Sequence, residues 1–381
     1  MSQKYTYLDY AAATPMDPRV LAAMQPFFTE QFYNPSATYE PALKVARELQ
    51  SARAKIAHWL GARASEVIFT AGGTEANNLA IHGVMQRYPD SNIVVSGIEH
   101  DAVLKPAKQY DYREVKVDEQ GIVSLEDLRT NIDDKTVLIS IMYANNEIGT
   151  VQPIREVAKI VNEIRDDRRQ NGNSLPLYLH TDACQAAAYL DLHAARLGVD
   201  LMTINGGKMY GPKQSGALYV RAGIELAPFI LGGGQERGVR SGTENVAACV
   251  GLAVALDLVQ ADRHNEVARL QNLQKKFIDQ LQTTFPDAII NGSQKKRLPS
   301  NIHVTFPGRD NERLLLQLEQ QGILAAAGSA CSASSEEASH VLEALGLSEE
   351  LSRASIRFSL GHGTTEPHLG QAIAALKTCL A

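Results

Sequence analysis

Cysteine is scarce in this sequence of 381 residues. The four cysteines are Cys184, Cys249, Cys331 and Cys379, and no two of them form a C-x-x-C pair. Such wide, irregular spacing without a secretory signal argues against both a disulfide framework and a zinc site, so we expect no metal. Two interpretations of the cysteines stay open: one reactive thiol among inert ones, or four small hydrophobic side chains.

The sequence also lacks an excess of positive charge and any long hydrophobic run. Lys and Arg number 37 against 43 Asp and Glu, a net charge of −6. This balance gives no electrostatic reason to expect a nucleic acid or an anionic membrane surface as a partner. The longest apolar run, residues 246–256, is too short to span a bilayer. Residues 1–5 contain no apolar stretch, so we expect no signal peptide and a cytoplasmic protein.

What the sequence does contain is an alternation of strand-like and helix-like segments. The strand candidates are short, rich in Val, Ile and Leu, and bounded by Gly, Asn or Asp: residues 66–70, 93–96, 137–142, 177–182, 201–205 and 217–220. Helical periodicity lies between several of them, as where Ala76, Leu79, Ala80 and Gly83 recur at i, i+3, i+4 and i+7. This alternation predicts an α/β protein with βαβ units and a mostly parallel sheet covered on both faces.

A second, smaller α/β unit is predicted after residue 260. A long charged helix over residues 245–283 leads into strands at 301–306 and 355–360 and helices at 311–321 and 367–380. Residues 166–176 (DDRRQNGNSLP) are predicted to form a solvated surface loop.

Residues 70–75 (TAGGTE) follow a predicted strand and open a predicted helix. Gly72 and Gly73 let the backbone approach an anion closely, and the helix N-terminus offers unpaired N–H groups. Thr74 adds a hydroxyl donor. The pattern suits a single phosphate, although a plain strand–helix turn explains the same residues.

Two further motifs follow later strands. In residues 180–185 (HTDACQ), Asp182 is suited to hold a protonated pyridine nitrogen and Gln185 to reach a phenolic oxygen; a helix-capping Asp is the alternative. In residues 205–213 (NGGKMYGPK), Lys208 is suited to form a Schiff base with an aldehyde cofactor, and a surface lysine is the alternative. The order of phosphate turn, strand-end Asp and strand-end Lys favours a pyridoxal 5'-phosphate (PLP) site.

Two more segments add candidate chemistry. His100, which follows a strand, can stack on a cofactor ring and move protons near neutral pH, or serve only in the structure. Cys331 lies among small residues (328–334, GSACSAS). That composition suits a segment that carries a thiol into a pocket and out again, and equally suits a turn with an incidental cysteine.

Ordered motifs like these run almost from end to end of the chain. They are residues 8–15 (LDYAAATP), 34–36 (NPS), 70–75 (TAGGTE), 99–100 (EH), 145–149 (NNEIG), 180–185 (HTDACQ), 210–213 (YGPK), 233–237 (GGQER), 240–243 (RSGT), 328–331 (GSAC), 341–342 (VL) and 356–359 (IRFS). Together they resemble the cysteine desulfurase family of the IscS/NifS type, within the fold-type I PLP enzymes of the class V aminotransferase superfamily.

The resemblance implies a fold and two domains. The fold is the PLP-dependent transferase fold of type I, with a mostly parallel seven-stranded sheet in the large domain and a smaller α/β C-terminal domain. Residues 15–260 are expected to form the large PLP-binding domain. Residues 1–14 and 261–381 are expected to form the small domain that carries the catalytic cysteine.

The resemblance also implies how the cofactor is held. Lys208 is implied as the Schiff-base lysine, Asp182 as the partner of the pyridine nitrogen, Gln185 as the partner of the ring oxygen, and His100 as the residue stacked on the ring. Thr74 and the Gly73–Thr74 backbone are implied to bind the phosphate. Thr243 is implied to reach the phosphate site of a neighbouring subunit, so we expect a homodimer with shared active sites.

Substrate and catalytic residues follow from the same resemblance. Asn146 and Arg357 are implied to position L-cysteine, with Arg357 forking onto its carboxylate. Cys331 is implied as the nucleophile that takes the sulfur as a persulfide, leaving L-alanine. The sulfur is then expected to pass to acceptor proteins, such as an iron–sulfur scaffold or thiolation enzymes.

The sequence departs from the family just before the Schiff-base lysine. The usual pattern is Ser-x-His-Lys, whereas this chain has Asn205-Gly206-Gly207-Lys208. The Asn205 amide still donates a hydrogen bond, but Gly207 has no side chain that could take over the hydrogen bond of the family's histidine. Each lost hydrogen bond to a charged group costs about 1.5–3 kcal/mol. We therefore predict weaker retention of PLP. A second departure is Glu40, near where the family often has His.

Three alternatives to a cysteine desulfurase stay open. A selenocysteine lyase-like PLP enzyme fits the same residues. An aminotransferase on the same fold has no need of the Cys331 segment. A weakly catalytic sulfur-transfer scaffold subunit would account for the change at residues 205–207, although Lys208, Asp182 and His100 are all retained.

Overall fold

The computed structural model describes residues 5–328 and 339–380. The strands are β1 (Thr6–Tyr7), β2 (Val67–Thr70), β3 (Asn92–Ser96), β4 (Asp111–Val115), β5 (Thr136–Ser140), β6 (Tyr178–Asp182), β7 (Leu201–Asn205), β8 (Gly216–Val220), β9 (Ile289–Ile290), β10 (Asn301–Thr305), β11 (Ile323–Leu324) and β12 (Ser355–Ser359). The helices are α1 (Pro18–Met24), α2 (Pro26–Thr29), α3 (Glu40–Leu60), α4 (Gly73–Met85), α5 (Asp101–Ala107), α6 (Leu125–Asn131), α7 (Ile154–Gln170), α8 (Ala194–Leu197), α9 (Val246–Ala261), α10 (Arg263–Thr284), α11 (Asn311–Gln320), α12 (His340–Ala344), α13 (Glu349–Ser352) and α14 (Glu366–Leu380).

Seven strands form the central sheet, in the order β2-β8-β7-β6-β5-β3-β4. Strands β4, β3, β5, β6 and β7 pair in parallel, and β8 pairs antiparallel to both β7 and β2. Six of the seven strands therefore point the same way, and their carboxyl ends meet at one edge of the sheet. The mostly parallel α/β fold predicted from the sequence is confirmed.

Helices cover both faces of this sheet, because successive residues of the buried strands point to opposite sides. Val67 and Phe69 of β2 join one hydrophobic core, together with residues of α3 and α7. Ile68, between them, joins a second core with residues of α4 and α5. Burial on both faces explains why these strands are almost continuously apolar.

Two smaller sheets lie nearer the C-terminus. Strands β9, β10 and β12 form an antiparallel sheet with β10 in the centre. Its apolar face packs on α10, where the rings of Phe277 and Phe358 meet edge to face at 5.3 Å. Strand β1 pairs with β11, and Asp9 bridges to Ser359 of β12, so the first residues lie against the last part of the chain. The domain boundary at residue 260 stays a prediction.

Three of the differences from the sequence-based expectation have a direct physical reason. Helix α7 continues to Gln170, because Arg168 turns inward and donates to the backbone carbonyl of Thr136, so residues 166–170 are not a loop. The predicted helix over 245–283 is two helices, separated at Asp262. Strand β4 was not predicted, because as an edge strand it is mostly exposed and lacks an apolar run.

Candidate active site

A cleft opens at the edge where the carboxyl ends of the central strands meet. Nine of the residues predicted to act in the site line it: Gly73, Thr74, His100, Asn146, Asp182, Gln185, Asn205, Lys208 and Arg357. Thr243 is exposed and is not among the described residues that line this cleft. Cys331 lies outside the described residues.

The phosphate-type turn lies between β2 and α4. Gly72, at the N-cap of α4, has a φ of 134°, which side chains of L-residues rarely allow. The first N–H groups of the helix, including those of Gly73 and Thr74, have no acceptor within the helix. Glu75 accepts from the Ala71 N–H at 3.0 Å. Gly73 and Thr74 line the cleft, so the first turn of α4 offers backbone donors there.

Asp182 ends β6, and two donors hold its carboxylate. Asn77 Nδ2 of α4 donates to Oδ2 at 2.6 Å, and the Cys184 N–H donates to Oδ1 at 2.9 Å. The carboxylate is thereby fixed at the wall of the cleft. Asn77 was not predicted; it lies one helical turn after the glycines of the phosphate-type turn, on the same side of α4 as Gly73.

Lys208 lies in a 3-10 turn directly after β7, and its amine points at the N-terminal segment. Nζ donates to the carbonyls of Ala11 at 2.8 Å and Ala12 at 2.7 Å. Gln185 Nε2 also donates to the Ala11 carbonyl, at 3.0 Å. Residues 11 and 12 therefore form a wall of the cleft through their backbone carbonyls. A pattern of side chains in the sequence cannot predict such a role.

His100 is the N-cap of α5, and its Nδ1 accepts from the Ala102 N–H at 3.0 Å. This bond leaves the Nε2 atom of the neutral ring to carry the hydrogen. Glu99, next in the chain, is entirely buried, and burial raises the pKa of its carboxyl to about 8. Near neutral pH Glu99 is therefore uncharged, and its Oε1 accepts from the Met142 N–H at 2.7 Å.

Arg357 reaches the cleft from the centre of β12, in the small sheet. Nη1 donates to the Asn146 carbonyl at 2.9 Å, and Nη2 donates to Asp9 Oδ1 at 2.7 Å. Nε is buried and has no partner in the part of the chain that the structure describes. The guanidinium is therefore charge-paired by Asp9, and one of its donors is left unsatisfied by the described residues.

Comparison with known proteins agrees with this geometry. A family model described as aminotransferase class-V matches residues 6–370. The cysteine desulfurase IscS of Dictyoglomus turgidum is 41% identical, over 98% of this chain and 94% of the relative, and IscS 1 of Archaeoglobus fulgidus is 38% identical, over 97% and 95%. The chain belongs to the cysteine desulfurase family of the IscS/NifS type.

Solved structures of this family superpose closely on the chain. A NifS-like protein matches with a TM-score of 0.90 and 32% identity, covering 99% of both chains. SspA, solved in complex with cysteine, matches with a TM-score of 0.80 and 34% identity, covering 93% of this chain and 98% of SspA. The fold expected from the resemblance is confirmed.

The departure from the family pattern lies beside the phosphate-type turn. Asn205 Oδ1 accepts from the Gly207 N–H at 3.1 Å, and its Nδ2 lies 3.5 Å from where a Cβ on Gly73 would stand. The amide donor of Asn205 therefore points along the turn. A Cβ on Gly207 would meet nothing closer than 3.6 Å, so that position accepts a Cβ without a clash.

The three described cysteines have no disulfide partner, and each thiol is kept protonated. Cys184 Sγ lies in the cleft, 2.6 Å from where a Cβ on Gly73 would stand, and burial next to Asp182 raises the pKa of its thiol. Burial also raises the thiol pKa of Cys249 and Cys379. A protonated thiol is a poor nucleophile, so all three are inert near neutral pH.

Metal-binding clusters and membrane-spanning helices are both absent from the described part of the chain. No group of three or more His, Cys, Asp or Glu side chains is arranged to hold a metal ion within residues 5–328 and 339–380. None of the helices in those ranges combines the length and apolarity needed to cross a membrane.

Proposed function

We propose that this protein is a cysteine desulfurase that converts L-cysteine to L-alanine and takes the sulfur onto Cys331 as a persulfide. The overall exchange balances: one C–S bond of the substrate is replaced by C–H, and the thiol of Cys331 becomes a persulfide. The observation that carries the proposal is the meeting of an amine (Lys208), a fixed carboxylate (Asp182) and a guanidinium (Arg357) in one cleft.

The donor set of the cleft fits PLP as the resident cofactor. Asp182, fixed by Asn77, would face the pyridine nitrogen, the turn at Gly73–Thr74 with Asn205 would hold the phosphate, and Lys208 would bind the aldehyde. Bound there, PLP supplies an aldehyde that takes up the substrate amine and a ring that withdraws electrons from its Cα.

The protein side chains then have separate tasks. Arg357, which lines the cleft, binds the substrate carboxylate, and Asn146 lines the same cleft. Lys208 Nζ, released from its structural contacts, takes the proton from Cα. An ordinary cysteine thiol is only a few per cent thiolate at neutral pH, so the attacking thiol must lose its proton. His100 Nε2 or the substrate's own amine receives that proton.

The described residues on either side of the Cys331 segment support the assignment of the thiol. Before it, Ala326 pairs with the backbone of Arg357. After it, Ser339 donates to Glu147 Oε2 at 2.6 Å, and His340 Nε2 donates to the Glu99 carbonyl at 2.9 Å. Both ends of the segment therefore start from the wall of the cleft.

The test is release of alanine and sulfide from L-cysteine, with and without added reductant. With reductant, which frees the persulfide sulfur as sulfide, wild-type protein loaded with PLP should release both products. Without it, the sulfur should stay on the protein, and in both cases the visible absorbance should shift when L-cysteine is added. Cys331→Ala should keep the absorbance shift and release no sulfide, whereas the matched control Cys379→Ala should behave as wild type. Undiminished sulfide release by Cys331→Ala would end the assignment.

We also propose that the active protein is a homodimer in which Thr243 serves the neighbouring site. Thr243 is exposed, as are the large apolar side chains of Phe28, Phe32 and Leu231, of which 60%, 65% and 80% are accessible. A surface with such side chains is typical of an interface.

Mixing two inactive variants tests the shared site. Lys208→Ala and Thr243→Ala should each have low activity alone. In a mixed dimer, one site has the intact Lys208 of one subunit and the intact Thr243 of the other, so activity should recover after dissociation and reassembly. A mixture no more active than its components, or a monomer by light scattering, would contradict the dimer.

A further inference from the structure

The small sheet has a polar face that is buried as completely as its apolar face. Strands β10 and β12 place six polar side chains on one side: Asn301, His303, Thr305, Ser355, Arg357 and Ser359. None of them is more than 2% exposed. Because buried polar groups need partners, this face must be satisfied by the elements packed on it.

The partners come from the walls of the active-site cleft. Asn301 Nδ2 donates to the Glu147 carbonyl at 2.8 Å, and the Ala11 N–H donates to Ser359 Oγ at 2.9 Å. With the contact of Arg357 to Asn146, the polar face holds both residues 9–11 and residues 146–147 in place. The face therefore acts as a base for the cleft.

His303 lies directly across the strands from Arg357 in the register of β10 and β12. Side chains at such paired positions have Cβ atoms about 4.5–5.5 Å apart, so the two are immediate neighbours on the polar face. Asn291 Nδ2 donates to His303 Nδ1 at 2.9 Å, which leaves Nε2 as the ring's N–H. Neither this Nε2 nor Arg357 Nε has a partner within the described ranges.

The imidazole is neutral under all ordinary conditions. Burial, and then the positive charges of Arg297 and Arg357, lower its pKa to about 3. A neutral ring adds no repulsion beside the guanidinium, and its volume fills the paired position next to Arg357. A positively charged side chain at residue 303 would repel the guanidinium, and a smaller one would leave space beside it.

We propose that His303 is a positioning residue that sets the place of Arg357 and thereby the recognition of the substrate carboxylate. The inference rests on the proposed function, in which Arg357 binds the carboxylate of L-cysteine. His303 does not line the cleft formed by the described residues, so it acts through Arg357.

The experiment compares two ligands that differ only in the carboxylate, L-cysteine and cysteamine. Protein loaded with PLP is titrated with each, and the absorbance change of the cofactor gives the apparent Kd. His303→Ala should raise the apparent Kd for L-cysteine about tenfold, because the hydrogen bond from Arg357 to the carboxylate is lost or misdirected. The apparent Kd for cysteamine should stay within about twofold of the wild-type value. His303→Asn keeps a polar group toward Asn291, so its apparent Kd for L-cysteine should lie between those of His303→Ala and wild type.

Thr305→Val is the matched control. Thr305 lies on the same buried face and accepts from the same Asn291 amide, at 2.7 Å, but it stands opposite Ser355 and not Arg357. It should leave the ratio of the two Kd values as in wild type. Because the ratio is measured on one sample, it does not depend on how much of a variant folds.

Three outcomes count against the inference. Equal weakening of both ligands by His303→Ala would show a general structural role. The same selective loss in Thr305→Val would show that any change to the polar face suffices. A wild-type cofactor spectrum unchanged by either ligand would overturn the proposed function, and this inference with it.

Discussion

The two walls of the cleft are built in different ways. On one wall, Gly73, His100, Asp182 and Lys208 all lie at the ends of central strands or in the turns that follow them. On the other wall, Arg357 projects from the middle of β12 and is held by residues far away in the chain, Asp9 and Asn146. The first wall uses turns, and the second uses a buried polar sheet face.

This difference separates two tasks. Turns at strand ends bring the groups that we propose to bind the cofactor to one edge, whatever the rest of the sheet contains. A guanidinium fixed in a sheet face cannot move without the sheet, which suits a rigid contact to an unreactive carboxylate. We therefore expect changes on the first wall to affect chemistry and cofactor retention, and changes on the second to affect substrate binding.

The largest effect is expected at Asp182, on the first wall. Asp182→Asn removes the negative charge that a pyridine nitrogen needs to stay protonated, while keeping the side chain's shape. We predict that kcat falls about 100- to 1,000-fold with little change in KM. Steady-state alanine production at measured PLP occupancy checks this, and a fall of less than tenfold would remove Asp182 from the chemistry.

The second prediction concerns the other wall. Arg357→Lys keeps the charge but loses the planar fork, so KM for L-cysteine should rise about 10- to 100-fold while kcat changes much less. Lys105→Ala, on the exposed surface of α5, is a control in which a basic residue changes without effect. A variant that loses kcat and keeps KM would contradict the division of tasks.

The third prediction concerns the altered phosphate site. Because a Cβ at residue 207 has room, Gly207→His, combined with Asn205→Ser, should fold and bind PLP about tenfold more tightly. Titration of PLP into apoprotein measures this. Equal affinity in wild type and the double variant would show that Asn205 already compensates; Gly73→Ala, which meets Cys184 Sγ at 2.6 Å, should instead weaken binding.

The smallest effect is expected at Glu99, behind the first wall. Its pKa is about 8 in the folded protein and about 4.3 when unfolded, so between these values the unfolded state binds fewer protons. Stability should therefore fall as pH rises through this window and level off above it. Between about pH 6 and about pH 8, the free energy of unfolding should decrease by about 1–2 kcal/mol less in Glu99→Gln than in wild type, as measured by urea unfolding. An unchanged pH dependence would mean that Glu99 is ionised when folded.

Much of the fold could be predicted because the buried strands are apolar on both faces and end in Gly, Asn or Asp. The strand at Leu201–Asn205 lies where the pattern indicated, with Lys208 directly after it. Strand β4 escaped prediction because an exposed edge strand such as Asp111–Val115 carries no apolar signal. Helix α7 extends into residues that were predicted to form a loop, because the charged side chain of Arg168 is buried and donates to backbone carbonyls.

The candidate site could be predicted only where a motif carries its own signal. The glycines before α4 and the Asp and Lys after strands are such motifs, and the structure brings them together. The carbonyls of Ala11 and Ala12, and the roles of Asn77 and Asp9, depend on contacts between distant segments. His303 reads in the sequence as one polar residue in an alternating strand, and only the register with β12 relates it to Arg357. The roles of Thr243 and Cys331 stay predictions.

The pairing of residues 6–12 with β11 and β12 has a consequence for biosynthesis. A nascent chain still on the ribosome has made Ala11 and Lys208 long before it has made Arg357. Its first segment has no strand to join until residues 323–359 emerge. The cleft, with the proposed cofactor site in it, should therefore be completed only after these late strands have been made.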